Sequence, residues 1–249
     1  MKKLYINCTS GVSGDMMLGA FLSLGVPEQY LKEKLERLSL REFEVQVSEK
    51  ETCGKTAVDV EVILKQPENH RIDPYSGNYR TYGDIVNMVN QSSLSVNEKV
   101  LSRRIFDIKA RAESRVHGVP VEEVKFHEAG AVDSIVDIVG AAVCCEYMKA
   151  DVIFSGQVPT GYGTVECACG TLPVPAPAVK QILQDTGIPH YRSDIPQEVL
   201  TPTGASIIAG ITDVFGWENI EETVLCRGYG TGKRDTGLPP LEMILCEEK

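Results

Sequence analysis

The chain of 249 residues is long enough to bury a substantial core, and its 43% hydrophobic and 24% charged residues are typical of a globular protein rather than a fibrous or disordered one. Its formal net charge of −10 argues against general nucleic-acid binding, which needs clustered lysine and arginine to displace counterions from phosphates. No run of 18 apolar residues exists, so no membrane span is expected, and an amino terminus without a sustained apolar run predicts a cytoplasmic protein without a signal peptide.

The first elements are a predicted strand and two helices. Residues 3–7 are predicted to form the strand, which leads through a loop at 8–14 into a helix that ends at Gly25. Pro27 can start a second helix, because proline suits the first helical turn.

A hairpin and a long helix follow. Phe43–Val47 and Ala57–Leu64 alternate apolar and polar residues on either side of a Cys53-Gly54 turn, which predicts an antiparallel hairpin. Residues 66–80 have no periodicity and are expected to be a flexible loop. Ser95 and Glu98 form a capping box in front of a helix predicted to run to His117.

Helices and strands also interleave in the second half of the chain. The predicted helices are 131–148, a segment ending at Gly187, and 202–215, and the predicted strands are 151–158, 164–169, 223–229 and 241–246. This order predicts an α/β or mixed α+β fold around a mixed sheet, with residues 1–249 as one domain.

Eight cysteines occur without a C-x-x-C pair. In a cytosolic chain they are expected to be reduced thiols rather than a disulfide framework. Cys167 and Cys169 would lie on one side of a strand, where they either pack or bind a soft metal.

One histidine and three acids stand close together where a predicted loop enters the helix 131–148. They are His127, Glu128, Asp133 and Asp137, and the last two lie one above the other on one helical face at the edge of the apolar stripe. Carboxylates at a core boundary repel each other unless a cation, a donor or a proton relieves them. The pattern therefore favours a metal or acid/base site, or else Asp133 caps the helix and Asp137 pairs with a surface cation.

Two loops rich in small and hydroxylated residues precede predicted helices. Ser10, Ser13 and Gly14 with the neighbouring amides could hold an anion, although Asp15 would repel a phosphate unless a metal bridges them. The alternative is that Ser13 or Asp15 only caps the helix.

In the second loop, Thr201 suits the N-cap and Pro202 the first turn, so that Thr203 and open amides can face a ligand. Gly204 allows a close approach directly afterwards. The glycine-rich segment 227–235 carries three basic side chains and fits either a lid over an anionic ligand or a plain surface turn.

Five segments together resemble the LarC family, the nickel-insertion proteins of nickel-pincer cofactor synthesis that serve lactate racemase. The segments occur in order along nearly the whole chain and are Ser10–Met16, Phe126–Gly140, Leu172–Ala178, Leu200–Ala205 and Gly228–Gly230. The resemblance implies a nickel chelatase of the lyase class that inserts Ni²⁺ into pyridinium-3,5-bisthiocarboxylic acid mononucleotide, forming one carbon–metal and two sulfur–metal bonds. It also implies CTP hydrolysis with Mn²⁺ or Mg²⁺.

The sequence departs from the family pattern at three places. Family members often carry a histidine-rich tract where this chain has 66–80 with only His70, and an acid is usual where the first strand here ends in Asn7-Cys8. The family continues beyond the position of Lys249 into a carboxy-terminal domain that binds CTP. The chain is thus expected to be the amino-terminal half, with the carboxy-terminal half as its partner and a homo-oligomer as a further candidate assembly.

The predicted site divides into three groups of residues. The catalytic candidates are Asp15, His127 and Glu128; the metal ligands are His127, Glu128, Asp133 and Asp137; the substrate contacts are Ser10, Ser13, Gly14, Thr201 and Thr203. Two other functions fit the same residues. One is a noncatalytic nickel carrier, and the other is a metal-dependent phosphohydrolase, which the carboxylates and anion loops alone would support.

Overall fold

A computed structural model describes residues 1–41, 43–65, 80–126, 132–167, 170–217, 220 and 222–248. The helices in these residues are α1 (Gly14–Ser23), α2 (Glu28–Leu35), α3 (Tyr82–Gln91), α4 (Val96–His117), α5 (Val132–Met148), α6 (Pro177–Thr186) and α7 (Pro202–Ile211). The strands are β1 (Lys2–Asn7), β2 (Phe43–Thr52), β3 (Lys55–Leu64), β4 (Arg80–Thr81), β5 (Lys125–Phe126), β6 (Val152–Ser155), β7 (Val158–Thr160), β8 (Gly163–Cys167), β9 (Gly170–Val174), β10 (His190–Arg192), β11 (Val214–Phe215), β12 (Thr223–Thr231) and β13 (Leu241–Glu247). The predicted mixed α/β fold class is confirmed.

Seven strands form one mixed sheet in the order β11-β6-β1-β13-β12-β3-β2. The strand β1 pairs in parallel with β6 and antiparallel with β13, which pairs antiparallel with β12. The strands β12 and β3 are parallel, and β2 closes the edge as the predicted hairpin with β3. The strand β1 lies between β6 and β13, so the loop that follows it leaves the sheet among neighbouring strands rather than at an edge.

Helices cover one face of this sheet. Leu4 and Ile6 of β1 point to this face and join the main core, where the apolar residues of α1, α4, α5 and α7 meet. Tyr5 points to the opposite face, where its ring stacks on Phe154 at 4.8 Å and meets Trp217 edge-on at 5.5 Å. The alternation along β1 therefore separates a large helical core from a small aromatic cluster.

Glycines let α1 approach the sheet closely. A Cβ at Gly230 of β12 would lie 1.9 Å from the Met16 carbonyl oxygen and 2.4 Å from the Ala20 nitrogen. A Cβ at Gly228 would lie 2.4 Å from the Ala20 carbonyl oxygen. Since these contacts are with helix backbone, no side-chain rotation relieves them, and the glycines fix the position of α1 on the sheet.

The predicted local structure is confirmed for the longest helix. The Ser95 side chain accepts from the Glu98 amide, the Glu98 carboxylate accepts from the Ser95 amide, and Gly118 ends the helix in the left-handed conformation. These are reciprocal N-cap bonds and a glycine C-cap, which the sequence pattern specifies without help from tertiary contacts.

Other boundaries differ from the predictions. The helix α3 was not predicted, although Thr81 and Asp84 form a second capping box there. The helix α7 ends at Ile211 rather than at residue 215, and β9, which pairs with β8, was not predicted. Of the predicted flexible loop 66–80, Arg80 lies in β4 and residues 66–79 lie outside the described residues.

The segment 227–235 is not one flexible loop. Its first five residues belong to β12, and Arg227 there donates to Glu242 at 2.8 Å. Only the part after Thr231 is a loop, so two of the three basic side chains, Lys233 and Arg234, lie on it.

Within the described residues, no helix combines the length and the apolarity that a membrane span requires. The cysteines among these residues are free thiols. Burial raises the pKa values of Cys8 and Cys145 to about 12, so these two thiols stay protonated at neutral pH and serve the core.

Gly230→Ala should destabilise the protein by moving α1 away from β12. We expect the free energy of unfolding to fall by about 3 kcal/mol or more, because the added methyl group meets helix backbone. Urea unfolding followed by circular dichroism measures this change.

Gly83→Ala is the matched control for this prediction. A Cβ at Gly83 meets no atom nearer than 3.7 Å, and alanine favours the helix α3 in which Gly83 lies. Its free energy of unfolding should stay the same or rise by up to about 1 kcal/mol. Equal losses in the two variants would contradict the packing argument.

Candidate functional site

A cavity of about 220 Å³ lies where the amino-terminal ends of α1, α5 and α7 meet the loop between β12 and β13. We call it the acidic cavity. Its lining residues are Ser13, Gly14, Asp15, Met16, Val60, Val62, Asp133, Ser134, Asp137, Glu198, Val199, Thr201, Thr203, Gly232, Lys233, Arg234 and Thr236.

The two loops predicted to face a ligand are joined by backbone hydrogen bonds. The Val12 amide donates to the Val199 carbonyl at 2.8 Å, and the Thr201 amide donates to the Val12 carbonyl at 3.1 Å. A Cβ at Gly204 would lie 2.2 Å from the Val12 carbonyl oxygen, so only glycine allows this approach. Gly204 was predicted to allow a ligand to approach closely. The group that approaches it in the structure is the backbone of the first loop at Val12.

Asp137 packs directly on the first residue of α1. A Cβ at Gly14 would lie 2.1 Å from Asp137 Oδ2, which shows how near the carboxylate is to the Gly14 Cα. Helix amino termini carry partial positive charge and open amides, which favour a nearby anion. The absence of a side chain at Gly14 thus gives the Asp137 carboxylate access to the end of α1.

Asp15 is held in the same place by three donors. It accepts from the Ser13 hydroxyl, from the Met16 amide at 2.9 Å and from the Lys233 amide at 3.3 Å. Ser13 is the N-cap residue of α1 but makes no side-chain bond to the helix backbone. Its hydroxyl orients Asp15 instead, so the simple capping alternative for Ser13 does not describe this loop.

The pKa of Asp137 lies well above its ordinary value. Burial is the main cause, and the neighbouring carboxylates of Asp15 and Asp133 add to it, whereas Lys109 and Lys233 act in the opposite direction. Three aspartates from two helices therefore share one electrostatic environment. In the absence of a bound cation, the folded protein takes up a proton here more readily than the unfolded chain does.

The loop after β12 places cations beside these acids. Lys233 Nζ lies 3.8 Å from Asp133 Oδ2, with both side chains about half exposed. Arg234 forms an ion pair with Glu198, whose side chain is only 7% exposed. The two basic residues therefore have different settings, one at an exposed acid and the other at a buried one.

Lys109 is a buried lysine that sequence reasoning missed. It is 6% exposed, and its Nζ donates to the hydroxyls of Ser134 at 2.7 Å and Thr203 at 3.0 Å. These two hydroxyls are 3.1 Å apart. The sequence does indicate that Lys109 is buried. It lies four residues after Ile105 and three before Ala112, on the apolar stripe of α4.

A second cavity, of about 320 Å³, shares a wall with the acidic cavity. We call it the adjoining cavity. The residues that line both are Ser134, Glu198, Thr201, Thr203 and Arg234. Lys109 and Phe126 line only the adjoining cavity, so the cluster of Lys109, Ser134 and Thr203 stands at the boundary between the two.

The structure brings most of the predicted site residues together. Those lining the acidic cavity are Ser13, Gly14, Asp15, Asp133, Asp137, Thr201 and Thr203. Ser10 is 6% exposed and lines neither cavity, and His127 and Glu128 lie outside the described residues. Thr201 is also the N-cap of α7, with its hydroxyl accepting from the Gly204 amide at 3.0 Å.

Comparison with known proteins identifies the chain's relatives. The sequence model of a family described as "Nickel insertion protein" matches residues 4–248. The chain belongs to this family.

Curated relatives carry the same description in more detail. A pyridinium-3,5-bisthiocarboxylic acid mononucleotide nickel insertion protein of Acetivibrio thermocellus is 44% identical over 95% of this chain and 58% of its own length. Proteins of the same name from Geobacillus kaustophilus and Clostridium kluyveri are 40% and 42% identical over 100% of this chain and 60% and 63% of their own lengths. The chain thus spans about three fifths of the length of these relatives. No solved structure matches the chain.

The described residues provide only part of a ligand set for a metal ion. Among the described residues, no group of three or more histidine, cysteine, aspartate or glutamate side chains is arranged to hold a metal ion. Asp15, Asp133 and Asp137 surround the acidic cavity without forming a complete ligand set. Of the two cysteines considered as ligands of a soft metal, Cys167 ends β8 and Cys169 lies outside the described part of the chain.

Asp137→Asn should stabilise the metal-free protein. The substitution keeps the shape of the side chain and removes a charge that burial and two carboxylates disfavour. We expect the free energy of unfolding at pH 7, in the presence of a chelator, to rise by roughly 1–3 kcal/mol. Urea unfolding of both proteins measures the difference.

The pH dependence provides the check on this explanation. Below the ordinary aspartate pKa, Asp137 is protonated in both the folded and the unfolded chain. Its charge then costs the folded protein no stability. The loss in the free energy of unfolding that Asp137 causes grows as the pH rises toward the raised pKa of the folded state. The advantage of Asp137→Asn should therefore vanish in acid, and Asp194→Asn, at an exposed position, should show none at any pH. An advantage that grew on acidification would contradict the burial argument.

Proposed function

We propose that this protein takes part in inserting nickel into pyridinium-3,5-bisthiocarboxylic acid mononucleotide. The supporting observation is the meeting of Asp15, Asp133 and Asp137 at one cavity beside two hydrogen-bonded loops, in a family whose curated relatives carry that function in their names. Ni²⁺ is here a substrate of the reaction. The acidic cavity is the place where it would enter.

The acidic cavity suits a divalent cation for an electrostatic reason. Its carboxylates repel one another, and a cation relieves that repulsion. We assign Asp133 and Asp137 as nickel ligands together with His127 and Glu128. The last two residues lie a few positions before α5 in the sequence. Imidazole and carboxylate are ligands that nickel accepts, and the thiocarboxylate sulfurs of the mononucleotide are softer donors that would take it from them.

Bond formation at the ring carbon needs a proton acceptor. Replacing a carbon–hydrogen bond by a carbon–nickel bond leaves the electron pair on carbon for the metal and releases one proton. Asp15, His127 and Glu128 are the groups we assign to receive it. Ser13, Gly14, Thr201 and Thr203 would border the bound substrate, and Ser10 supports the same loop from its buried position.

The finer parts of this function rest on the resemblance to the LarC family. They are the cytoplasmic location, the supply to lactate racemase, the lyase class and the use of CTP with Mn²⁺ or Mg²⁺. We assign the CTP chemistry to the part of the relatives that this chain does not span, which is about two fifths of their length. On this proposal the complete reaction needs that part as a partner.

Nickel titration calorimetry on this chain tests the metal assignment. We expect Asp133→Asn and His127→Ala each to weaken Ni²⁺ binding by about tenfold or more, since each removes one proposed ligand. The unfolding temperature measured in chelator should stay close to that of the unmodified chain, although the nickel affinity falls. His190→Ala is the matched control, because His190 is exposed and lines neither cavity. Full nickel affinity in both ligand variants would show that the assignment is wrong.

An insertion assay distinguishes the proposed enzyme from a nickel carrier. The chain is mixed with the mononucleotide, Ni²⁺, CTP, Mn²⁺ and the separately produced carboxy-terminal part of a relative, and the nickel-containing product is detected by mass spectrometry. Product formation that Asp133→Asn reduces supports insertion. Stoichiometric nickel binding without any product, even with the partner present, would favour the carrier.

A further inference from the structure

We propose that the adjoining cavity binds the anionic pyridinium mononucleotide, with only the reacting edge of its ring reaching the acidic cavity, and that Lys109 contacts one of its anionic groups at the wall between the two cavities. The proposal rests on the proposed function for the identity of the ligand class. Its geometry rests on the distribution of charge and apolar surface between the two cavities.

Charge separates the roles of the two cavities. Among the described residues, the acidic cavity is lined by four carboxylates and two cationic side chains, Lys233 and Arg234. A phosphate or thiocarboxylate placed beside Asp15 and Asp133 would face like charge at short range. A divalent cation is attracted there, and an anionic ligand is repelled until the metal has bound.

The adjoining cavity is lined by equal numbers of carboxylates and of lysine or arginine side chains. Its three carboxylates each have a neighbour that offsets or binds them: His117 lies 3.4 Å from Glu113, Thr171 donates to Glu166 at 2.6 Å, and Arg234 pairs with Glu198. Lys109 and Lys125 add positive charge to this lining. An anion therefore meets a less negative environment here than in the acidic cavity.

The walls of the adjoining cavity suit an aromatic ring. Phe126, Val165 and Leu172 contribute apolar side chains, and the volume of about 320 Å³ falls at the lower end of the range for small-molecule sites, which begins near 300 Å³. Such sites combine apolar walls with a few placed polar groups. Here Ser134, Thr201 and Thr203 are polar groups on the wall that is shared with the acidic cavity.

Lys109 is built into that wall rather than lying on the surface. Burying an ammonium group costs free energy, and the hydroxyls of Ser134 and Thr203 hold it in a fixed position at 2.7 and 3.0 Å. Its Nζ also lies 5.4 Å from the centre of the Phe126 ring. A charge held in this way at a cavity wall is suited to bind an anion in a defined orientation.

The shared wall explains how two bound species would meet. Ser134 follows Asp133 directly on α5, and its side chain lines both cavities. A mononucleotide whose anionic group contacts Lys109 would thus lie beside Ser134, the residue that follows the proposed nickel ligand Asp133. The two cavities together would act as one site with a cation half and an anion half.

Calorimetry with two separate probes tests this division. The probes are NiCl₂ and nicotinate mononucleotide, a pyridinium carboxylate mononucleotide, and the second is titrated into metal-free protein. We expect Lys109→Met and Val165→Trp each to weaken mononucleotide binding by about tenfold or more, by loss of the charge and by filling the cavity. Asp133→Asn, which removes like charge from the acidic cavity next to the shared wall, should tighten mononucleotide binding.

Val224→Trp is the matched control for the bulky substitution. It places the same side chain on a strand position that is 39% exposed and lines neither cavity, so both probes should bind as to the unmodified chain. Circular dichroism and thermal unfolding verify that each variant is folded. Val165→Trp keeps the test informative even where Lys109→Met is poorly folded.

Three results would overturn the proposal. They are absence of mononucleotide binding by the unmodified chain at millimolar concentration, unchanged binding in Val165→Trp, and loss of binding in Asp133→Asn instead. The outcome is independent of nickel insertion. Mononucleotide binding that depends on the adjoining cavity would stand even if the insertion assay gave no product, and insertion could succeed with the mononucleotide bound elsewhere.

Discussion

The contact between the Asp137 carboxylate and Gly14 is the constraint on which the site depends. It places the second turn of α5 beside the first residue of α1, because a Cβ at Gly14 would lie 2.1 Å from Asp137 Oδ2. The same loop is joined to the segment before α7 through Val12 and Thr201. Three helices therefore point their amino-terminal ends at one place, and their open amides and partial positive charge make it possible to gather carboxylates there.

Gathering these carboxylates costs stability, and the cations nearby compensate unequally. Glu198, with a side chain only 7% exposed, pairs with Arg234, and removing Arg234 would leave the Glu198 charge poorly solvated. Lys233 and Asp133 are 3.8 Å apart and about half exposed, a setting in which an ion pair contributes about 0–1 kcal/mol. A divalent cation could therefore displace Lys233 from Asp133 at little cost, while Arg234 stays in place.

The sequence predicts best what adjacent residues determine. Ser95 and Glu98 specify the start of α4 through their own hydrogen bonds, and the position of Asp137 four residues after Asp133 places both on one face of α5. The periodicity of β2 and β3 predicts their hairpin in the same local way. These features depend on residues that are close in sequence, so a pattern of a few residues is enough to identify them.

What the sequence does not predict depends on distant residues. Gly228 and Gly230 are glycines because α1 lies on them, and without that knowledge they resemble a flexible loop. Lys109 is 25 residues from Ser134 and 94 from Thr203, so nothing local shows that their side chains meet. A lysine on an apolar stripe signals only that a partner exists. The fold of the whole chain decides which partner it is.

Separate places for a cation and an anion have a thermodynamic consequence. A metal ion in the acidic cavity would neutralise carboxylates across the wall formed by Ser134 and Thr203, and so would strengthen the attraction of Lys109 for an anionic ligand. By linkage, the anionic ligand would strengthen metal binding by the same factor. Because the wall carries hydroxyls, the Lys109 ammonium group and the Arg234–Glu198 ion pair rather than an apolar layer, the two charges would be coupled at short range without sharing ligands. A protein that must bring a metal ion to an anionic ring would gain from such coupling, since neither species alone satisfies the whole site.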